Sequence, residues 1–263
     1  MDFDKQAPSY DQRVGLPPAV AQKVARAVVG LPQKSSILKV LEIGAGTGEI
    51  GCEIAKLVQQ YIAMDSSAGM LEQFRLRCQN QQVHATLIKA DGNEQWPVEP
   101  GQVNVIFGSR ALHLLNFEHL TKELKRLSQH DRVWLIIGNV KKAPESIPFL
   151  MRKKMRELLK AQGIAGRSGK KLQAQLSQFF AERGMTVKPK LQVATWQRED
   201  APVHALDSWR SKSGLAGIDI PRGVKNQILN QVEAWAIEYF GDIHKKQPTT
   251  YHYELNAIQI HGQ

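Results

Sequence analysis

The sequence predicts an α/β fold built on an open, mostly parallel sheet with helices on both faces. Two observations predict it. Short apolar runs alternate with segments of helical spacing through residues 38–138, and that alternation places crossover helices over a parallel sheet. A glycine-rich turn, Gly44-Ala45-Gly46-Thr47-Gly48, follows the first run and opens a helical segment. Sheets of this kind bind ligands at the carboxyl ends of their strands, where such turns lie.

Each element has its own warrant. Residues 18–30 (PAVAQKVARAVVG) repeat apolar side chains at helical spacing and stop at Gly30. Before them, Tyr10-Asp11-Gln12-Arg13 lies in a polar arm. Residues 38–43 (LKVLEI) are a short, largely buried strand, and 47–60 the helix after it. Residues 61–65 (YIAMD) are a second strand and 68–79 a second helix. Residues 83–90 are a third strand, closed by Asp91-Gly92-Asn93. Residues 103–107 are a fourth, 117–127 the following helix, and 132–138 a fifth strand.

After Asn139 the rhythm changes. Residues 146–163 read as an inserted basic helix with Pro148 near its start, and 172–183 as another. Residues 185–197 are strand-like. Residues 201–210 and 223–240 read as helices, and 251–260 (YHYELNAIQI) alternates as a final strand. The expected organisation is a single domain over 1–263. It comprises a helical arm at 1–30, a ligand-binding core at 38–140, lid helices at 141–250 interleaved with a sixth strand, and the last strand at 251–260.

Composition narrows the class. Hydrophobic residues make up 42% of 263 residues, enough for a sizeable core. No apolar run approaches the roughly 20 residues a membrane span needs, and the first residues carry no signal-like apolar stretch. A cytoplasmic protein is expected. Cys52 and Cys78 have no metal spacing, and both fall in expected helices as free thiols. Residues 141–190 hold 13 Lys and Arg against 3 Asp and Glu, a net charge equal to the +10 of the whole chain. Such a stretch attracts an anionic partner or is a solvated face.

The glycine turn is the chemical signal. Gly44, Gly46 and Gly48 allow a sharp turn and close approach of the backbone to a ligand. A dinucleotide fingerprint needs a further glycine at its sixth position, near a pyrophosphate. That position is Glu49, so the loop suits a ligand without phosphates there. Asp65 ends the second strand 17 residues past Gly48, where a carboxylate can accept both hydroxyls of a ribose. Asp91 ends the third strand and can accept from an adenine amine, with Gly92 leaving room for the ring.

The stretches VLEIGAGTGEIG, YIAMDSSAGML, KADGNEQWP and VNVIFGSRALHLL together resemble the class I S-adenosylmethionine-dependent methyltransferases. Among these the chain is most similar to the small-molecule group with the ubiquinone-biosynthesis and trans-aconitate-type enzymes. The resemblance covers residues 38–138. It implies a Rossmann-like seven-stranded sheet of order 3-2-1-4-5-7-6, the last strand antiparallel, with a helical lid. It implies S-adenosylmethionine as cofactor, S-adenosylhomocysteine as product and no metal. Glu42 would lie near the methionine amino group. Gly44, Ala45, Gly46 and Gly48 would line the cofactor, Asp65 with Ser66 and Met70 would hold the ribose, and Asp91 and Gly92 would face the adenine. Ser109 would lie near the methionine moiety. His113 corresponds to a frequent histidine of the group, as a general base, a substrate contact or a packed side chain. Tyr10 and Arg13 match an N-terminal pair that folds over the pocket. Residues 207–214 more weakly resemble a loop between the last two strands.

The expected acceptor is a small molecule. A hydroxyl or carbon acid calls for a base, His113 first. A carboxylate calls instead for a cationic clamp from Arg13, Arg110 or Arg210. The alternative is an RNA methyltransferase that uses residues 141–190 as its phosphate footprint. Against it, the fourth strand ends in Phe107-Gly108-Ser109-Arg110, without the proline-rich run of base-amine methylators, and no Pro-Cys nucleophile is present.

Overall fold

A computed structural model describes residues 4–32, 37–129, 131–167 and 169–261; the side chains of Lys5, Arg13 and Val14 are not among the described parts. The chain divides into two compact units. Of the described residues, the larger takes in 4–32, 37–129, 131–139, 169–194 and 253–261, and the smaller 140–167 and 195–252.

In chain order, a 3-10 turn at Asp4–Ser9 leads to α1 (Tyr10–Val14) and α2 (Pro18–Gly30). Then follow β1 (Lys39–Ile43), α3 (Gly51–Ala55), β2 (Gln60–Asp65), α4 (Ala68–Gln81), β3 (Thr86–Lys89) and β4 (Val105–Ser109). A 3-10 turn at Leu112–Leu114 precedes α5 (Phe117–Leu127) and β5 (Val133–Lys142). The remainder is α6 (Ile147–Ala161), α7 (Gly169–Ala181), β6 (Thr186–Val187), β7 (Leu191–Asp200), α8 (Pro202–Arg210), α9 (Arg222–Phe240) and β8 (Gln247–Ile260).

The strands form one sheet of order β3-β2-β1-β4-β5-β8-β6, with β7 paired to β8. The pairs β1–β2, β1–β4, β2–β3 and β4–β5 are parallel, and β6–β8 is antiparallel. The expected strand order is therefore present, with one strand more. The stretch expected as a single sixth strand splits into β6 and β7 at Lys188-Pro189-Lys190. Pro189 has no N–H to give a ladder, so the pairing breaks there and resumes in β7.

In the larger unit the pleat sorts the side chains. Leu41 and Ile43, Ile62 and Met64, Ile106, Leu135 and Ile137 face one side. They join Leu120, Leu124 and Leu127 of α5 and Leu172, Leu176 and Phe180 of α7 in one buried cluster. The alternate residue Tyr61 meets Phe74 of α4 on the other side. Capping sets the helix starts: Ser67 Oγ accepts from Met70 N at 3.1 Å, and Asn116 Oδ1 from His119 N at 3.0 Å. Each such cap is worth about 1 kcal/mol.

The smaller unit has its own core. Ile147, Met151, Met155 and Leu159 repeat at i, i+4 along α6, and meet Leu206 of α8 and Ile228, Leu229, Val232 and Ala236 of α9. Buried Lys225 caps α8 by donating to the carbonyls of Arg210 and Lys212. No helix among the described residues is long and apolar enough to cross a membrane.

One charge is built into the larger core. Glu123 of α5 is buried; it accepts from Trp96 N at 2.9 Å and pairs with Arg126 at 2.7 Å. Arg126 also donates to the Trp96 and Val98 carbonyls, so the two residues pin the 92–98 loop to α5. Removing one partner of a buried pair strands the other charge. Arg126→Met is therefore expected to lower unfolding free energy by about 3 kcal/mol in urea titration. A loss under about 1 kcal/mol, the scale of an exposed pair, would show that Glu123 does not need its partner.

Candidate active site

Glycines shape the turn after β1. Gly44, Gly46 and Gly48 all adopt left-handed backbone, with φ of 64°, 57° and 75°. A Cβ on Gly48 would fall 2.1 Å from the Phe74 ring, whereas one on Gly46 would meet nothing within 4 Å. Gly48 is thus closed by packing, and Gly46 presents bare backbone to open space. The expected helix over 47–60 is reduced to Gly51–Ala55, because turns occupy Gly46 to Ile50. A left-handed residue at Gly48 cannot continue a right-handed helix.

The turn is tied to the end of the neighbouring strand. Gly44 N and Ala45 N donate to the Met64 carbonyl at 2.9 and 3.1 Å. Gly46 N donates to Asp65 Oδ2 at 2.8 Å, and Ser67 N to Asp65 Oδ1 at 2.9 Å. Burial pushes the Asp65 pKa up, and the Ser67, Gly46 and Ser66 amides pull against it. Ala90 N donates to the Asp65 carbonyl, so Asp91 follows directly at the next strand end. Asp91 is exposed and closes its own turn by accepting from Asn93 N at 2.9 Å. Gly92 is buried, and a Cβ there would strike Leu115 at 2.6 Å. Ser66 is exposed beside Asp65, while Met70 is buried in α4 below it.

Behind the turn lies a group of buried polar residues. Glu42 is 2% exposed and accepts from the Tyr61 hydroxyl. Burial is the main cause that pushes its pKa up to about 8. Glu49 accepts from Leu16 N and from Arg110 at 3.3 Å, and burial raises its pKa as well. Arg110 stands at φ 60° just past β4, its N–H bonded to the Gly138 carbonyl. Ser109 and the Tyr253 hydroxyl are 2.6 Å apart. The first helices close the arrangement from the N-terminal side. Asp11 accepts from Thr47 Oγ1 at 2.6 Å and pairs with Arg77, and Asp4 accepts from Ser67 Oγ and Gly69 N. Tyr10 lies close enough to Arg110 to act on its charge.

Past the end of β4 and along β5 is a small open cleft with enclosed room of about 10 Å³. Arg110, Ala111, Leu112, His113, Ile137, Asn139, Leu172 and Gln173 line it. Among the described residues the buried Asn139 amide nitrogen has no hydrogen-bond partner. Buried amide N–H groups are nearly always paired, so Asn139 is a donor ready for an acceptor.

The structure thus brings Glu42, the glycine turn, Asp65, Ser66, Asp91, Gly92, Ser109, Arg110 and His113 to one edge of the larger unit. The side chain of Arg13 lies outside the described residues. Arg210 belongs to the smaller unit and is held by Glu233 at 2.6 Å and Asp207 at 3.6 Å. Asp4, Asp11, Tyr61, Asn139, Gln173 and Tyr253 escape a reading of the sequence. Only Tyr253 leaves a hint: it sits on the alternating face of the last strand. Among the described residues no group of three or more His, Cys, Asp or Glu could hold a metal ion.

A family model described as a methyltransferase domain matches residues 40–131. The match covers about a third of the chain and takes in the glycine turn and the strand ends that carry Asp65 and Asp91. The fold is shared with solved structures. The YcgJ protein of Bacillus subtilis superposes with a TM-score of 0.54 at 18% identity, over 93% of this chain and 99% of that one. A candidate methyltransferase of Bacillus halodurans gives 0.54 at 12% identity, over 89% and 97%. A phosphoethanolamine N-methyltransferase of Haemonchus contortus, solved with phosphomonomethylethanolamine and S-adenosylhomocysteine, gives 0.51 at 13%, over 99% of this chain and 58% of that one. A search of curated protein sequences found no match.

The raised pKa of Glu42 makes a prediction about stability. Its folded value of about 8 lies above the ordinary 4.5, so the folded state binds the proton more tightly. That contribution is full below about pH 4.5 and is lost as pH rises through about 8. Glu42→Gln is expected to remove a loss on the order of 1 kcal/mol per pH unit across that window. Parallel urea-stability curves for variant and wild type from pH 5 to 8 would show that Glu42 is not protonated in the folded protein.

Proposed function

We propose that this protein transfers the methyl group of S-adenosylmethionine to a small-molecule acceptor without a metal and releases S-adenosylhomocysteine. The observation that best supports it is the Gly46–Asp65 hydrogen bond. It sets a half-buried carboxylate, with lone pairs left over, beside a bare backbone turn. That pair suits the ribose of a nucleoside. The buried Glu42 carboxyl asks for a cation, and the methionine end carries an ammonium and a sulfonium.

The residues fit the cofactor. Asp65 and Ser66 hold the ribose, Asp91 and Gly92 flank the adenine, Glu42 takes the amino group, and Ser109 borders the methionine chain. Bound S-adenosylmethionine supplies an electrophilic methyl group. The protein has to align an acceptor atom and keep water away, so most of the rate gain comes from orientation. The cleft past β4 and along β5 is the acceptor site of this reading. Asn139 donates to an acceptor oxygen, and Arg110 adds positive charge. His113 takes the proton when the acceptor is a hydroxyl or carbon acid. The motif resemblance favours the group with ubiquinone-biosynthesis and trans-aconitate-type enzymes. The comparisons lend no support to the RNA alternative.

Two variants test the cofactor assignment by calorimetry with S-adenosylhomocysteine. Asp65→Ala is expected to weaken binding about 100-fold, the scale of two charge-assisted hydrogen bonds; an unchanged dissociation constant would sink the ribose role. Gly46→Val is expected to abolish binding, since its side chain fills the open space over the turn. Retained affinity would mean that the turn does not touch the ligand.

A further inference from the structure

The smaller unit holds a cationic group that the methyl-transfer reading does not use. Lys142 ends β5, Tyr251 lies on β8, and Trp196, Arg198 and Asp200 alternate along one face of β7. The strands adjoin here: Ala143 N donates to the Thr250 carbonyl at 2.9 Å, and Thr195 Oγ1 lies 3.0 Å from His252 Nδ1. Tyr251 is the floor. The Trp196 ring stacks on it at 5.5 Å and 21°. Lys142 Nζ stands 5.8 Å and the Arg198 guanidinium 6.0 Å from its ring centre. Arg152 of α6 and Lys212 past α8 act on the same point.

The charges there do not balance. Lys142, Arg152, Arg198 and Lys212 converge with Asp200 as the one carboxylate acting on Lys142 among the described residues, and Asp200 accepts from the Tyr251 hydroxyl at 2.6 Å. Lys142, Arg152 and Arg198 make no ion pair within 4 Å among the described residues, although Lys142 and Arg198 are half-buried. Burial and the neighbouring Arg152 and Arg198 lower the Lys142 pKa to about 7. The buried Trp196 indole N–H also lacks an acceptor among the described residues. Like charges held together, Lys142 and Arg198 half-buried and Arg152 exposed, are costly next to an unanswered donor. An anion relieves all of these costs at once.

We propose that Lys142, Arg152, Arg198 and the Trp196 indole N–H form a binding site for a compact, multiply charged anionic group of the phosphate or diphosphate kind. The cations focus on one aromatic floor instead of lining a track, which suits a point-like group and not a polynucleotide backbone. The proposal does not rest on the methyl donor.

The test uses the full chain with inorganic pyrophosphate in calorimetry. Lys142→Met and Arg198→Met are each expected to weaken binding by about 10-fold or more, the scale of a charge-assisted hydrogen bond. Lys170→Met, an exposed lysine of the same basic stretch, is expected to leave it unchanged. S-adenosylhomocysteine affinity is measured alongside, so that loss of the fold and failure of the methyltransferase reading are told apart from failure of this site. A measurement on the unaltered chain is independent of folding: Lys142, with its depressed pKa, should be acetylated faster than other lysines, and pyrophosphate should protect it. Phosphatidic acid vesicles distinguish a lipid headgroup from a soluble ligand; binding of either that depends on Lys142 and Arg198 supports the site. Pyrophosphate binding equal in both variants and wild type, or no protection of Lys142, would overturn it. So would tighter binding of a short RNA with equal loss in Lys170→Met.

Discussion

The arrangement at the edge of the sheet depends on one interaction, the hydrogen bond from the Gly46 amide to the Asp65 carboxylate. It joins the turn after β1 to the end of β2, which pair side by side in the parallel ladder. The turn can reach only because three glycines take left-handed backbone. The carboxylate is half-buried and would resist ionisation, yet three amides point at it. Burial and hydrogen bonding oppose each other there, and the balance leaves an acceptor fixed in place and not consumed. A fixed acceptor beside bare backbone is what a hydroxyl-bearing ligand needs, because little ordering remains to be done on binding.

The strands of the first half were legible because their signals are local. Apolar runs, strand-end acids and Gly44, Gly46 and Gly48 all read within a few residues, and the parallel core follows from them. The helix after β1 was not legible. The apolar residues of 50–58 suggest a continuous helix, but Gly48 packs its missing Cβ against Phe74, a contact across 26 positions, and only Gly51–Ala55 is helical. The split of the sixth strand was visible only as Pro189. The polar partners behind the turn were hidden for a different reason. Tyr61 donates to Glu42, Tyr253 reaches Ser109, and Asp4 meets Ser67. Each pair is set by the fold, and neither member has a spacing that announces the other.

The same reasoning separates the two cysteines from the site. Cys52 and Cys78 are buried, with sulfurs 3.4 Å apart between α3 and α4. Burial is the largest cause that raises the Cys52 pKa. A thiol in that setting packs as a small apolar group and is a poor nucleophile. It contributes to the wall that holds α3 and α4 over β2, not to chemistry.

Desolvation bears on the buried charges of both units. In the larger unit it raises the carboxyls Glu42, Glu49 and Asp65 and also opposes the charge of Arg110. In the smaller unit it falls on an ammonium, with Lys142 pushed down among other cations. A chain that only had to fold would gain by replacing such groups with apolar ones of similar size, because buried charge is costly even when paired. The groups make physical sense when each is completed by a ligand of opposite charge. The larger unit then suits a cation, as a sulfonium with its ammonium is, and the smaller suits an anion. A substrate or effector that binds the smaller unit returns Lys142 to its charged form. The proton it takes up is linked to binding, so anion affinity there would fall as pH rises through about 7.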